Sequence, residues 1–477
     1  MLFCRFQSIL SSFLQHPGLP FADVLSEETI EQAFKDAGIP NPTAGGQDPS
    51  DETTAPKVVY TAAVTLWAFL SQVLFKKEQR SCLAATARVV VLLAALGREC
   101  SDNTGAYCRA RARLPLAVLQ RLTLQVADGC EDRVPQRWLW HGRHVHLVDG
   151  TTISMPDTPK NQAEFPQPSS QKEGLGFPLL RLVVLMSLAT AMVTGMALAP
   201  YEGKETGETA LLRELFARLK AGDIVLGDRY FCSYFMIALL LELGVDVVVR
   251  LHQGRKDDLR QATRLGSGDY LVTWHRPQRP EWMDQATYDR MPQSLQVRQV
   301  QVQVHQPGFR VERLTVVTTL TDADEYRREE IAELYHQRWL VELDIRDLKV
   351  TLGMDVLRCQ SPEMIRKELW TCLLAYNLIR QSMLEAAWSR NLSPRQLSFT
   401  AALQKIAASW ETLSVCGGEQ AVRLITLELR HVGSHQVGDR PNRTEPRANK
   451  RRPKPHKLLN KPRAEARAEL LAGAAHP

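Results

Sequence analysis

Asp149, Asp228 and Glu342 stand where phosphate chemistry could use them. Asp149 closes an alternating run, His144–Asp149 (HVHLVD), that reads as a strand ended by Gly150. Asp228 follows a short apolar run, Asp223–Gly227 (DIVLG), that reads as a second, buried strand. In α/β sheets, ligands gather at the carboxyl ends of strands. Two such residues on neighbouring strands would be separated by about one strand spacing, roughly 5 Å. Carboxylates that close repel, and are best tolerated with a divalent cation between them or with one protonated. Oxygen-only donors favour Mg²⁺ or Mn²⁺ over zinc. Taken singly, each Asp is as readily a turn cap.

Glu342 lies in YHQRWLVELDIRDLK. Tyr335, Arg338, Glu342 and Lys349 are placed at offsets −7, −4, 0 and +7. On a regular helix these fall within roughly 60° of one another and span about 21 Å. Such a stripe offers one carboxylate, two cations suited to phosphate and a phenol to a single ligand. The same spacing also serves a solvent-facing i,i+4 ion pair between Arg338 and Glu342. Asp157, Asp223, Asp344 and Asp347 read as caps or surface acids, the last two pointing away from the stripe by their offsets.

The elements that must position these residues alternate in a pattern typical of a mixed α/β sheet. Residues 1–55 form an N-terminal segment with a short helical pattern at Ser26–Ala37 and a Pro/Gly/Asp-rich loop. Residues 56–140 form a helical region, with periodic runs at Thr61–Leu74, Arg80–Leu96 and Leu116–Val126. Between the last two, Asp102-Asn103 reads as the cap of a helix bearing Tyr107, Arg109, Arg111 and Arg113. Residues 141–251 carry the strands. Leu182–Ala199, eighteen residues without a charge, reads as two buried strands joined by a tight turn at Thr194-Gly195, not as a spanning helix. A helix at Glu208–Lys220, another at Tyr234–Leu243 and a strand at Val245–Leu251 complete this part. Residues 252–324 read as a β-rich insertion, 325–390 as the second part of the core and 391–435 as a helical region. Residues 436–477 read as an extended basic tail rich in Pro and Arg.

The charge follows that division. The 477 residues carry 59 Lys+Arg against 53 Asp+Glu, a net of +6. Residues 439–467 alone hold a net of +8 and residues 76–121 a net of +6, which leaves −8 for the rest. Two basic blocks on an acidic body point to a polyanion partner. A hydrophobic share of 44% and a charged share of 23% exclude a wholly disordered chain and a disulfide miniprotein. The nine cysteines show no Cys-x2-Cys spacing, which argues against a zinc ribbon and suits a reducing compartment. A soluble cytoplasmic protein without a membrane partner is expected.

Tyr-x2-Arg-x3-Glu-x6-Lys at 335–349 resembles the YREK signature of the IS-four group of bacterial DDE transposases. Asp149 in VDGTT resembles the first acid of that family. Asp228 in GDRYFCS, with Arg229 behind it, resembles the second, and Glu342 matches the third. The interval of 114 residues between Asp228 and Glu342 matches a group that fills it with a β-rich insertion. The tail EPRANKRRPKPHKLLNKPR is similar to the C-termini of such proteins. The resemblance implies an RNase H-like core and two divalent ions, Mg²⁺ or Mn²⁺, on Asp149, Asp228 and Glu342. It implies double-stranded DNA as partner, both transposon inverted repeats and target, and a homodimer that synapses two ends on the bacterial nucleoid. Tyr335, Arg338, Lys349 and Arg229 would contact DNA at the cleavage site. Arg109, Arg111 and Arg113, in residues 56–140, are candidates for end recognition, although a spacing of two spreads them over more than one helical face. The segment leading into the signature, RLTVVTTLTDADEY, lacks the Trp that relatives stack on a flipped base, and neither Trp274 nor Trp282 can be assigned that part.

Two other classes compete. A glycosidase would use paired carboxylates but leaves the basic stripe and tail unexplained. A transposase-derived DNA-binding protein without catalysis would not need all three acids.

Overall fold

A computed structural model describes residues 25, 27–41, 59–95, 97–255, 259–303, 313–416, 418–438 and 459–473. The Pro/Gly/Asp-rich loop and the Pro/Arg stretch of the tail lie outside these residues.

Among the described residues five α-helices precede the sheet: α1 (Glu27–Asp36), α2 (Ala62–Leu74), α3 (Cys82–Ala95), α4 (Thr104–Arg113) and α5 (Leu116–Glu131). Thr61 caps α2 by accepting the Val64 N–H, and Asn103 caps α4 by accepting the Gly105 N–H. Then come β1 (Val145–Ser154), α6 (Pro159–Glu164), β2 (Leu179–Ser187), β3 (Val193–Pro200), α7 (Glu208–Glu214), β4 (Ile224–Gly227), α8 (Tyr234–Glu242) and β5 (Asp246–Arg250). The β-rich segment supplies β6 (Thr263–Gly266), β7 (Asp269–His275), α9 (Gln285–Arg290), β8 (Ser294–Gln303) and β9 (Arg313–Thr318). Helices α10 (Arg328–His336), α11 (Leu340–Arg346), α12 (Pro362–Trp388), α13 (Phe399–Val415), α14 (Gly418–Ser434) and α15 (Arg463–Gly473) follow.

Among the described residues the strands form one nine-stranded sheet, in the order β3-β2-β1-β4-β5-β9-β8-β7-β6. β2 runs antiparallel to β1 and to β3, while β4 runs parallel to β1 and to β5. Three antiparallel strands followed by two parallel ones are the RNase H-like arrangement. β5 then pairs antiparallel with β9 along Val248–Arg250, so the β-rich segment continues the core sheet. Arg298 of β8 forks onto Asp269 at 2.9 and 2.6 Å and donates to the Tyr326 carbonyl at 2.6 Å, which ties this extension to the approach to α10.

Alternation along the strands makes two cores. Leu147, Leu182, Val184, Leu226 and Val248 face the helical layer of α2, α5 and α12. Val148, Val183, Val225, Val247 and Val249 face α7 and α8. A two-residue period serves both faces at once, which is why these strands read as continuous apolar runs.

Three details depart from the sequence reading. Gly150 does not end β1: it stays in the ladder opposite Val183, and the strand runs to Ser154. The β2–β3 connection lies at Leu188–Met192, with Ala191 at φ 61°, whereas Thr194 and Gly195 belong to β3. Gly195 pairs with Leu185 beside an irregularity in the ladder, and such irregularities mimic a turn in sequence. The last part of the tail is not extended: Arg463–Gly473 is helical. No helix among the described residues is long and apolar enough to cross a membrane.

The helical layer is keyed to the sheet by one buried amide. Asn377 in α12 accepts the Val193 N–H at 2.9 Å and donates to the Val193 and Thr123 carbonyls at 3.0 and 3.2 Å. Asn377→Ala takes its buried acceptor from the Val193 N–H, and should destabilise the protein by about 2 kcal/mol. Urea unfolding followed by far-UV circular dichroism measures this; a change below about 0.5 kcal/mol would remove the amide from that role.

Candidate active site

The parallel pairing of β1 and β4 stops at Leu147 and Leu226. β1 continues alone on that side, while the chain after Gly227 turns away through a short helical turn at Arg229–Phe231. The notch between them holds the two aspartates. Asp228 caps the turn by accepting the Tyr230 N–H at 2.7 Å. Asp149 sits on β1 and accepts the Gly150 N–H at 2.8 Å. Burial pushes the Asp149 carboxyl up to about 6; the Gly150 hydrogen bond and the Arg338 cation oppose the rise, and the charges of Asp228 and Glu208 add to it.

Glu208 is a fourth acid that the sequence did not single out. It opens α7, where an acidic residue ordinarily reads as helix-dipole compensation. Its carboxylate lies against Gly150, where an added Cβ would collide with it. Burial first, then the Asp228 charge, raise the Glu208 carboxyl above the usual range. The glycine beside Asp149 was the available clue, since a strand-interior glycine often marks a close approach.

The helical face opposite supplies the cations. The chain from Arg328 to Thr351 is helical throughout but not uniform: a tight turn at Gln337–Trp339 and a wide π turn at Asp347–Thr351 flank α11. The Arg338 guanidinium is 2.5 Å from Glu342 and 3.9 Å from Asp149. Burial holds the Tyr335 phenol proton up to about 12, and the nearby Arg338 cation opposes the rise. The Glu342 side chain is 58% exposed and reaches Asp149 only through Arg338. Among the described residues no three His, Cys, Asp or Glu side chains are grouped to hold a metal ion. Asp149, Asp228 and Glu342 offer oxygen donors alone, a chemistry that suits a hard divalent cation once Glu342 is brought to the notch.

Lys349 departs from the stripe. The π turn shifts the phase of the helix, and the ammonium donates to Thr151 Oγ1 at 3.0 Å and the Thr152 carbonyl at 2.8 Å. It thereby pins the end of this helical stretch to β1, just beyond Asp149.

A family model described as the transposase DDE domain matches residues 140–378. The chain belongs to that family. It is 25% identical over 453 residues to the transposase InsG for insertion sequence element IS4 of Escherichia coli strain K12, covering 92% of this chain and 93% of that one. It is 30% identical over 143 residues to the putative transposase InsZ of the same strain, covering 29% of this chain and 46% of that one. Among solved structures it resembles a piggyBac transposase synaptic complex with hairpin DNA, at a TM-score of 0.42 and 10% identity over 93% of this chain and 89% of that one.

In this DDE transposase the arginines of α4 divide. Arg109 and Arg113 are exposed and line a cavity with Tyr60 and Asn103. Arg111 turns inward, donating to Gln72 at 2.9 Å and lying over the Phe69 ring. Arg229, after Asp228, donates to Gln253 at 2.8 Å. Asp344 is not the surface acid its offset suggested: it is buried and holds Arg380 at 3.0 Å and Arg395 at 2.9 Å. Asp347 reaches the same Arg380 at 3.4 Å. Asp223 is buried too, 3.0 Å from His146. Trp274 is 1% exposed, which removes it from any stacking role, and Trp282 lies under the Arg213 guanidinium at 3.9 Å.

The charge state of Asp149 has a consequence for stability. Its carboxyl is raised from 3.8 to about 6, so the folded protein binds that proton more tightly than the unfolded chain. Ionised Asp149 therefore destabilises the metal-free fold above about pH 6, and the effect fades as pH falls toward the unfolded value. Asp149→Asn should melt higher than wild type at pH 7.5 in EDTA, with the gap closing near pH 4. Calorimetry at both pH values checks this, and a lower melting temperature for the variant at pH 7.5 contradicts it.

Proposed function

We propose that this transposase hydrolyses a phosphodiester at each end of its element and joins the freed 3′-OH to target DNA. The observation that carries the reading is Arg338, one guanidinium shared by Asp149 of the sheet and Glu342 of the helix. Two divalent cations, Mg²⁺ or Mn²⁺, held by Asp149, Asp228 and Glu342, would polarise the scissile phosphate and activate the attacking water.

The chain's own residues do the rest. Arg338 neutralises two acids until a phosphate arrives, and a planar guanidinium then binds that phosphate through paired hydrogen bonds. Its departure frees Asp149 and Glu342 as ligands. Tyr335, buried beside Arg338, holds that guanidinium in place. Lys349 holds the Glu342 helix in register with β1 through Thr151 and Thr152 and meets the DNA backbone from that position. Arg229, Arg109 and Arg113 supply further phosphate contacts, and the basic tail adds salt-dependent affinity. The substrate is duplex DNA of the terminal inverted repeats, followed by target DNA, in a homodimer that pairs two ends on the nucleoid.

Two experiments test this. Asp149→Ala should abolish Mg²⁺-dependent cleavage of the element's own ends while end binding by gel shift persists; cleavage that survives overturns the assignment. Arg338→Gln should bind Mn²⁺ more tightly than wild type without DNA, by about tenfold, because it no longer competes for the carboxylates. The same variant should lose end cleavage. Unchanged Mn²⁺ affinity, by electron paramagnetic resonance titration, removes the exchange.

A further inference from the structure

Arg111, the arginine that α4 turns inward, lines a cavity of about 180 Å³. The cavity lies where α2, the start of α3 and α4 meet α12 and the chain just before it. Arg80, Arg111 and Arg358 share it with one acid, Glu368. Arg80 is 5% exposed. Its Nη1 donates to the Gly353 carbonyl at 2.5 Å, and Gly353, at φ 86°, leaves room for the guanidinium. Among the described residues its Nη2 is buried without a hydrogen bond and meets Glu368 only at 3.7 Å. Arg111 donates through Nη1 to Gln72 at 2.9 Å, while its Nε is likewise buried without a hydrogen bond. Arg358 lines the cavity from its exposed side and donates to the Lys77 carbonyl at 2.8 Å.

The charges around the cavity do not cancel. Glu368 is already engaged by backbone: it accepts the Arg358 N–H at 2.9 Å and the Cys359 N–H at 3.0 Å. Burial pushes the Cys359 thiol well above its usual range, so it adds no negative charge. Three guanidinium groups thus face one carboxylate. Buried N–H groups of a cation are costly to leave without an acceptor. A small anion would satisfy those N–H groups and the excess charge together, and the fork of a guanidinium suits an oxyanion. Size narrows the choice. Sites for drug-sized ligands start at roughly 300 Å³. A cavity of about 180 Å³ is too small for a nucleotide and ample for one tetrahedral oxyanion.

We infer that this cavity binds a single phosphate group, held by Arg80 and Arg111 from within and by Arg358 at the exposed side. The site is separate from the carboxylate notch and independent of the cleavage reading. Its occupant joins two parts of the chain that already reach across to each other. Arg80 meets Gly353, four residues past Lys349, and Arg358 meets Lys77 before α3. Phosphate here clamps the helices that precede the sheet to the chain that follows the Glu342 helix. The group is either free phosphate or a phosphate of a DNA backbone lying over Arg358, and duplex DNA tells the two apart.

Isothermal titration calorimetry of sodium phosphate into the full-length protein, in EDTA at constant ionic strength, should show one saturable site. Arg358→Gln, which alters an exposed side chain, should weaken it about tenfold. Arg111→Gln should weaken it at least as much. Glu368→Gln removes the one acid and should tighten it, an opposite shift that partial unfolding cannot produce. Arg423→Gln, on an exposed stretch of α14, should bind phosphate like wild type. Thermal melts confirm that each variant is folded. With a mixed-sequence duplex present, loss of the phosphate titration assigns the site to a DNA backbone, and an unaltered titration assigns it to free phosphate; either keeps the site. Absence of saturation by about 10 mM phosphate overturns the inference. An equal loss in Arg358→Gln and Arg423→Gln overturns it too.

Discussion

Repulsion between carboxylates organises this molecule. Asp149, Asp228 and Glu208 act electrostatically on one another around a notch, and burial raises the Asp149 carboxyl. Arg338 opposes it from the facing helix. The layer behind that helix is correspondingly rigid. Asp344 joins Arg380 and Arg395, and Arg380 also bonds the Tyr376 phenol at 2.9 Å. Buried ion pairs of this kind are poor sources of net stability but good at fixing one arrangement. Here they hold α11, and with it Arg338 and Glu342, against α12.

The same arrangement separates what is prepared from what must be assembled. The sheet side of the site is built into backbone: Asp149 in a ladder and Asp228 on a cap. The helix side is held by side chains alone, with Glu342 half outside and engaged by a neighbouring cation. An enzyme acting on a polyanion can use its substrate as the agent that completes the site, because the phosphate and the carboxylates compete for one arginine.

Much of this was legible in the chain. Apolar runs that end at Asp149 and Asp228 gave the strands, and the three- and four-residue periodicity gave α2, α3 and α5. What escaped shares a cause: each missed feature depends on contacts remote in sequence. Gly150 looks like a terminator but serves as clearance for Glu208. Lys349 shares the stripe only if every turn is regular, and the π turn at Asp347–Thr351 breaks that assumption. Arg109, Arg111 and Arg113 are one pattern in sequence, yet Gln72 and Phe69, on α2, draw the middle one inward. Asp344 has the offset of a surface residue and is buried because α12 and the residues before α13 bring arginines to it.

The continuity of the sheet from β5 into β9 and β8 sets a limit on how this family member can diverge. Side chains alternate along a strand, so adding or deleting a single residue within β9 would turn Val316 and Val317 to opposite faces and carry Arg313 with them. Loops can lengthen without that effect. Length change is therefore tolerated better in the connections than in the strands that run from the carboxylate notch to Arg313.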